Sequence, residues 1–317
     1  MRKMRHHNTK PTLRNYREIV KTLSNADGGV LFSGDVRRTL MNCFRSVGVM
    51  IHTLHKGYRL ARVRFNPPGV VYTRVRELSY RPIGVPGGPQ RANTKATTRF
   101  YGASCERRIP EPITDEDYGI KVALFETLPS LRENCHHGFG ACPPSGRFPD
   151  FFISPFTSLP KARVTYSIWE VSDNLELASV CPLKIHDEDW GTQLLRAHLN
   201  GSYVMAAPHS RCNEDVFWNF LTATFASLGV PTARQPDYLV SSVAAELLTD
   251  KGFAGVSYPS TRCMGLGINV AITPKATDER LVCKKVGIVD LKIERNRLKL
   301  NYGTCVELNP ETNIFSL

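Results

Sequence analysis

Nowhere does the chain run to the 18 or more consecutive apolar residues that a membrane-crossing helix needs. The opening Met1-Arg-Lys-Met-Arg-His-His7 has no apolar stretch behind it of the kind a secretory signal carries. A soluble, cytoplasmic protein with no membrane partner is the expectation. Paired cysteine spacing is missing too. The nine cysteines (Cys43, Cys105, Cys135, Cys142, Cys181, Cys212, Cys263, Cys283, Cys305) are odd in number and irregularly placed. A chain of 317 residues needs no staples, so they point to mostly buried free thiols in a reducing compartment. Acidic residues are scarce before residue 110. Over the whole chain 41 Lys and Arg face 29 Asp and Glu, a formal charge of +12 with pI near 9.4. That balance suits nucleic acid, an acidic partner or a phosphate-bearing ligand. No Gly-x-Ser-x-Gly elbow is present, which argues against a triad-type serine nucleophile. Gly265-Leu-Gly-Ile-Asn269 lacks the third glycine of a dinucleotide fingerprint and opens no helix, which removes a Rossmann fold. Internal repeats and low-complexity tracts are absent as well.

What is there is a foldable chain: 42% hydrophobic residues rule out wholesale disorder. Residues 1–13 read as a basic tail. Apolar residues at Leu13, Tyr16, Ile19, Val20 and Leu23 have helical spacing, and glycines at the end of 25–29 stop that helix. Asp35 reads as the N-cap of a second helix over 36–46. Together they define a basic helical segment over 1–54, either an accessory module or the first layer of a main domain over 55–317. Strands are expected at 56–63, 70–78, 99–103, 163–170, 267–273, 286–293 and 297–302, and helices at 216–228 and 238–248. Residues 109–117 read as a surface loop, and the apolar residues of 118–128 suit a helix or a strand equally. The Pro-, Gly-, Ser-, Cys- and His-rich 134–160 reads as a long inserted loop. Helices and strands mix without strict alternation, so the fold class is α+β.

Several residues carry candidate chemistry. Arg91 follows a Gly/Pro turn and can present its planar fork to a pyrophosphate or carboxylate. Asn93 lies two residues on and Tyr101 ten, in an apolar strand from which its ring can stack on a base. Glu126 is flanked by Ala123, Leu124, Phe125 and Leu128. Burying a carboxylate there unpaired is costly, so it stands either on a polar face or in a site. Ser260 closes Gly255-Val-Ser-Tyr-Pro-Ser260 and is either presented at a sheet edge or a turn serine capping its own backbone. Cys135, His136, His137 and Cys142 place four zinc-ligand types within eight residues, but consecutive ligands do not match paired metal signatures and no metal is expected.

In this order the residues resemble the RES domain, named for an Arg, a Glu and a Ser. Its Arg-x-Asn with a tyrosine ten residues on is matched by Arg91, Asn93 and Tyr101, and its A-x-x-E by Ala123 and Glu126. Its Tyr-Pro-Ser segment with a later asparagine is matched by Tyr258, Pro259, Ser260 and Asn269, and its upstream Tyr-Arg-x-x-Arg by Tyr58, Arg59 and Arg62. The likeness spans roughly residues 55–280. Gln90 replaces a glycine that often precedes the arginine, and a longer segment before Glu126 makes Glu111 and Glu116 competitors for the acid.

The resemblance implies an ADP-ribosyltransferase-like split mixed or antiparallel sheet surrounded by helices, binding NAD as substrate with no cofactor. It implies cleavage of the nicotinamide–ribose bond as a glycohydrolase or phosphorylase. Catalysis would fall to Arg91, Tyr101, Glu126 and Ser260, and binding to Arg59, Arg62, Asn93, Tyr258 and Asn269. An Xre-type antitoxin and a second copy of the chain are the partners it suggests. Two rival expectations are an ADP-ribosyltransferase acting on a protein or nucleic acid, and a basic nucleic-acid-binding protein with a degenerate site.

Overall fold

Basic and apolar residues alternate through Ala61-Arg-Val-Arg-Phe65 at the end of Arg59–Phe65, so successive side chains go to opposite faces of a strand. In the computed structural model, which describes residues 17–19, 21–23, 33–45, 47–85, 90–94, 97–107, 113–128, 163–180, 203–204, 217–218, 220–222, 224–225, 238–260, 267–294, 297–309, 311 and 313–317, this strand sits at the middle of a large sheet. The strands are β1 (Met50–Leu54), β2 (Arg59–Phe65), β3 (Phe100–Ser104), β4 (Glu106–Arg107), β5 (Ile113–Thr114), β6 (Val164–Val171) and β7 (Leu175–Ser179). They continue with β8 (Tyr203–Val204), β9 (Gly255–Ser260), β10 (Gly267–Ile272), β11 (Leu281–Glu294) and β12 (Arg297–Glu307). The helices are α1 (Ser33–Phe44), α2 (Val75–Leu78), α3 (Glu116–Thr127), α4 (Leu239–Asp250) and α5 (Pro274–Arg280). The described parts of 17–23 and 217–225 are helical too.

The protein is α+β. Ten strands form one sheet in the order β12-β11-β6-β2-β3-β10-β9-β7-β1-β8, while β4 and β5 pair apart. Every neighbouring pair in it is antiparallel except β7 with β9. One junction is short for the length of its strands. β2 pairs with β6 from Arg59 to Phe65, but with β3 only through Leu60 to Ser104 and Ala61 to Ala103. Beyond Ala61 the two strands part. The gap is bridged by a side chain: Arg62 Nη1 donates to the Tyr101 carbonyl at 2.6 Å, supplying that oxygen with a partner in the space between the strands.

One face of the sheet carries Leu60, Phe100, Trp169, Ile268 and Val270 in a core closed by Leu78, Ala276 and Phe315. The other carries Ala61, Ala103 and Ile168 under α3. Farther along, Ala178, Val256 and Ala271 lie under α1, α4 and the helical residues Phe217, Trp218, Leu221 and Phe225. The groove between α3 and α4 lies on this second face.

Helix α3 starts where the Asp115 carboxylate accepts the Tyr118 N–H at 2.9 Å, with Glu116 and Asp117 favouring the positive end of the helix dipole. It is buried on nearly every side at Tyr118, Ile120, Val122, Ala123, Leu124 and Phe125, which is why its apolar residues show no helical stripe in the sequence. It lies very close to the sheet. A Cβ on Gly119 would stand 2.6 Å from Cys105 Sγ and 3.1 Å from Ala61 Cβ. Gly119→Ala is therefore expected to destabilise by about 1–3 kcal/mol through overpacking, read as a fall in denaturant midpoint at unchanged slope.

The expected strand at 70–78 is corrected: residues 71–73 are irregular and Val75–Leu78 is a helical turn. Glu77 explains it, because Oε2 accepts the backbone N–H of Thr73 at 2.9 Å and of Arg74 at 2.8 Å, giving both amides a local partner. Asp35 lies within the first turn of α1, which begins at Ser33. Residues 118–128 resolve to helix, and Pro259 lies within β9 ahead of Ser260. The boundary at residue 54 coincides with the end of β1, which pairs with β7, and α1 packs on α4. The 1–13 tail, the 25–29 stop, the 134–160 loop with Cys135, His136, His137 and Cys142, and Glu111 lie outside the described residues. Among the described cysteines Cys43, Cys105 and Cys283 are buried free thiols and Cys305 is exposed. No helix among the described residues is long and apolar enough to cross a membrane.

Candidate functional site

Register decides which side chains meet. Asn269 stands opposite Tyr258 on β9 and Ala103 on β3, and Ala271 opposite Tyr101. Alternation then puts Tyr101, Tyr258, Ser260 and Asn269 on the face under α3 and α4. Glu126 comes down onto them from the last turn of α3. Its Oε1 accepts Ser260 Oγ–H at 2.6 Å and Asn269 Nδ2–H at 2.9 Å, and its Oε2 faces Arg91 Nη1 at 3.3 Å. The Arg91 and Glu126 side chains are 8% and 18% exposed, so the pair is largely desolvated while the carboxylate keeps an opening.

Arg91 is held by a tight turn. Gln90 and Asn93 exchange both backbone hydrogen bonds at 3.0 Å, and Asn93 Nδ2 donates to Gln90 Oε1 at 2.9 Å. The Ala92 N–H donates to the Tyr101 hydroxyl at 3.0 Å and Arg99 Nε to the Ala92 carbonyl at 2.7 Å. The Arg91 guanidinium lies 5.6 Å from the Tyr258 ring centre and 5.8 Å from that of Tyr238, a cation held between two π faces. Burial pushes the Tyr101 hydroxyl up to about 12 and that of Tyr258 higher still. Both phenols therefore stay protonated at neutral pH and act as walls, leaving Glu126 as the carboxylate of the site.

These residues border a cleft of about 560 Å³ at the place where β2 and β3 part. Five arginines line it, Arg62, Arg64, Arg81, Arg91 and Arg99, against one acid, Glu126. Among the described residues no carboxylate forms an ion pair with Arg62, Arg64, Arg81 or Arg99, although the charges of Glu246 and Asp250 partly offset the burial of Arg99. Arg62 stacks on Phe100 at 5.2 Å, and burial pulls its pKa down to about 9. Such a wall is poorly compensated as it stands, and an anion in the cleft offsets that cost.

Of the expected residues, Arg91, Tyr101, Glu126, Tyr258, Asn269 and Arg62 border the cleft. Ser260 is fully buried and spends its hydroxyl on Glu126, so it orients the carboxylate and does not reach a ligand. Asn93 holds the Arg91 turn from behind. Arg59 is not brought to the cleft: it lies at the opposite end of α3 from Glu126, paired with Glu116 at 2.7 Å and Glu170 at 3.7 Å. Glu116 is occupied by Arg59 and Lys285 and stands outside the cleft. Tyr238, Arg64, Arg81 and Arg99 are additions. Only Arg64 has a sequence signal, its place two residues beyond Arg62 on the same strand face. Among the described residues no group of three or more His, Cys, Asp and Glu is placed to hold a metal ion. Compared with known proteins, the chain matches no family model, no curated protein and no solved structure.

Proposed function

We propose that the protein cleaves NAD at the bond between nicotinamide and ribose, in a split-sheet cleft of the ADP-ribosyltransferase kind, as the resemblance to the RES domain implies. The observation that carries this reading is the environment of Glu126. A carboxylate has about four acceptor positions. Three donors, from Ser260, Asn269 and Arg91, fix its plane and leave capacity directed toward the cleft. Donors fixed in advance of the reaction are what electrostatic catalysis requires.

The chemistry follows from that placement. The C1′–N bond breaks with its electron pair going to the pyridinium ring, which departs as neutral nicotinamide and leaves positive charge on C1′ and the ring oxygen. Glu126, hydrogen-bonded to a ribose hydroxyl, stabilises that charge, as glycosidase carboxylates do. Tyr101 and Tyr258 wall the ring end. Arg91 holds the nearer phosphate, and the other cleft arginines balance the rest of the diphosphate charge. Water or phosphate then adds to C1′, giving ADP-ribose or its 1-phosphate, and a proton is released.

Purified protein incubated with NAD in water, and separately in phosphate buffer, is expected to release nicotinamide. Release in neither medium refutes the reading. ADP-ribose found attached to a macromolecule, in place of the free product, assigns the same site to transfer.

A further inference from the structure

The cleft does not end at the parting of β2 and β3. Three of its lining residues, Arg64, Tyr72 and Arg81, also line a second cavity of about 1050 Å³. By alternation Arg64 shares a face of β2 with Leu60, whose partner Trp169 belongs to the core on the side away from α3. The first cavity is lined by Ala123 and Glu126 of α3 and the second by Trp169 and Leu281 of the core on the other side, so the two lie on opposite faces of the sheet and meet at its seam.

Their linings differ in chemistry. The first has its carboxylate at one end and arginines toward the seam. At the junction Tyr72 is fixed by donating its hydroxyl to the Phe65 carbonyl at 3.0 Å, and Arg64 by donating Nη2 to the Ser79 carbonyl at 2.9 Å. Arg81 is held only by a long 3.4 Å bond to the Thr97 carbonyl, and its Nε is buried with no hydrogen-bond partner among the described residues. The second cavity is walled by Tyr80, Trp169, Val75, Leu281 and Ile83, with polar groups at Arg76, Glu77, Thr277, Asp278 and Asn313. Asp278 accepts the Tyr80 hydroxyl at 2.6 Å, which sets the plane of that ring. Ile83 is 75% exposed at the rim. A carboxylate, a belt of cations and an aromatic chamber thus follow one another through the sheet.

We infer that the second cavity takes the adenosine end of the dinucleotide, with the diphosphate against Arg64 and Arg81 at the seam. The assignment rests on the proposed NAD cleavage. An aromatic and aliphatic chamber with a few fixed polar groups suits a planar base. Arginine forks suit the two phosphates that precede it.

The test uses two rim variants, Tyr80→Ala and Ile83→Asp; the second changes a side chain that is mostly in solvent and leaves the core intact. kcat/KM is measured for NAD and for nicotinamide mononucleotide, which ends at its first phosphate. The ratio of the two is expected to fall about tenfold in each variant, the size of one lost stacking or apolar contact to a base. An unchanged ratio in both variants overturns the subsite while leaving NAD cleavage standing. Should the wild type cleave neither compound, the cleavage reading fails, and calorimetric titration with ADP decides the subsite independently. ADP bound by the wild type and about tenfold more weakly by the variants upholds it. ADP not bound, or bound equally by all, overturns it.

Discussion

Glu126→Gln is expected to lower nicotinamide release from NAD by about 10²–10³-fold while the protein stays folded. The magnitude is that of removing one fixed charge or dipole aimed at a transition state. The substitution keeps the shape of the side chain, but an amide cannot satisfy its surroundings. With its oxygen toward Ser260 and Asn269, the NH₂ confronts Arg91 Nη1, donor against donor. Flipped, it satisfies Arg91 and leaves two donors facing an NH₂. At least one mismatch remains either way, at a cost of about 1–3 kcal/mol in stability. A thermal midpoint within several degrees of the wild type, together with lost turnover, separates chemistry from unfolding. Full activity in this variant removes Glu126 as the acid and transfers the role to Glu111, since Glu116 is already committed to Arg59 and Lys285.

Phe125→Ala carries the largest expected loss of stability. Phe125 is completely buried and among the largest such side chains. Truncating it leaves a cavity between α3 and the sheet, at about 3–5 kcal/mol. For a chain of this size that is about a 5–8 °C fall in midpoint, measurable by calorimetry or by loss of secondary-structure signal. Its neighbour in sequence is Glu126, so the function should suffer before the fold does. The carboxylate rides on a helix that no longer seats firmly, and turnover in Phe125→Ala should fall off with temperature ahead of the unfolding transition. Turnover that tracks the folded fraction at every temperature would show that α3 positions Glu126 without help from Phe125.

How far the sequence reveals this architecture depends on whether the signal is local. Residues 163–170 have period-two alternation and 99–103 read as a short apolar strand, and they become β6 and β3 with bounds shifted by about one residue. Val70-Val-Tyr-Thr73 has equally good strand composition and is not a strand, because Glu77 offers a local carboxylate to the amides of Thr73 and the following Arg74. Strands β1 and β7 are five residues each, and Leu175-Glu-Leu-Ala-Ser179 has no strand signature of its own; pairing makes it one. For α5 the cap is local, Thr273 Oγ1 accepting the Ala276 N–H next to Pro274, but seven residues are too few for a periodic stripe.

The site divides in the same way. Arg91, Tyr101, Glu126, Ser260 and Asn269 can be picked out as a set because each sits in a short ordered motif. That Ser260 serves the carboxylate instead of the ligand is a matter of burial, which no motif encodes. Tyr238 at the head of α4, and Arg81 and Arg99 on loops, reach the cleft through tertiary packing alone. A split sheet is what the resemblance implies, but its position is not marked in the sequence. The split comes from β2 and β3 sharing only two residue pairs, and nothing in either strand marks where pairing stops.

That short junction has a mechanical consequence. Seven residue pairs zip β2 to β6 but only two fasten it to β3, so thermal breathing of the backbone concentrates there, with α3 lying across both sides as the strap. A guest of extended shape would reach the interior by spreading this seam a little, with neither half of the sheet having to melt.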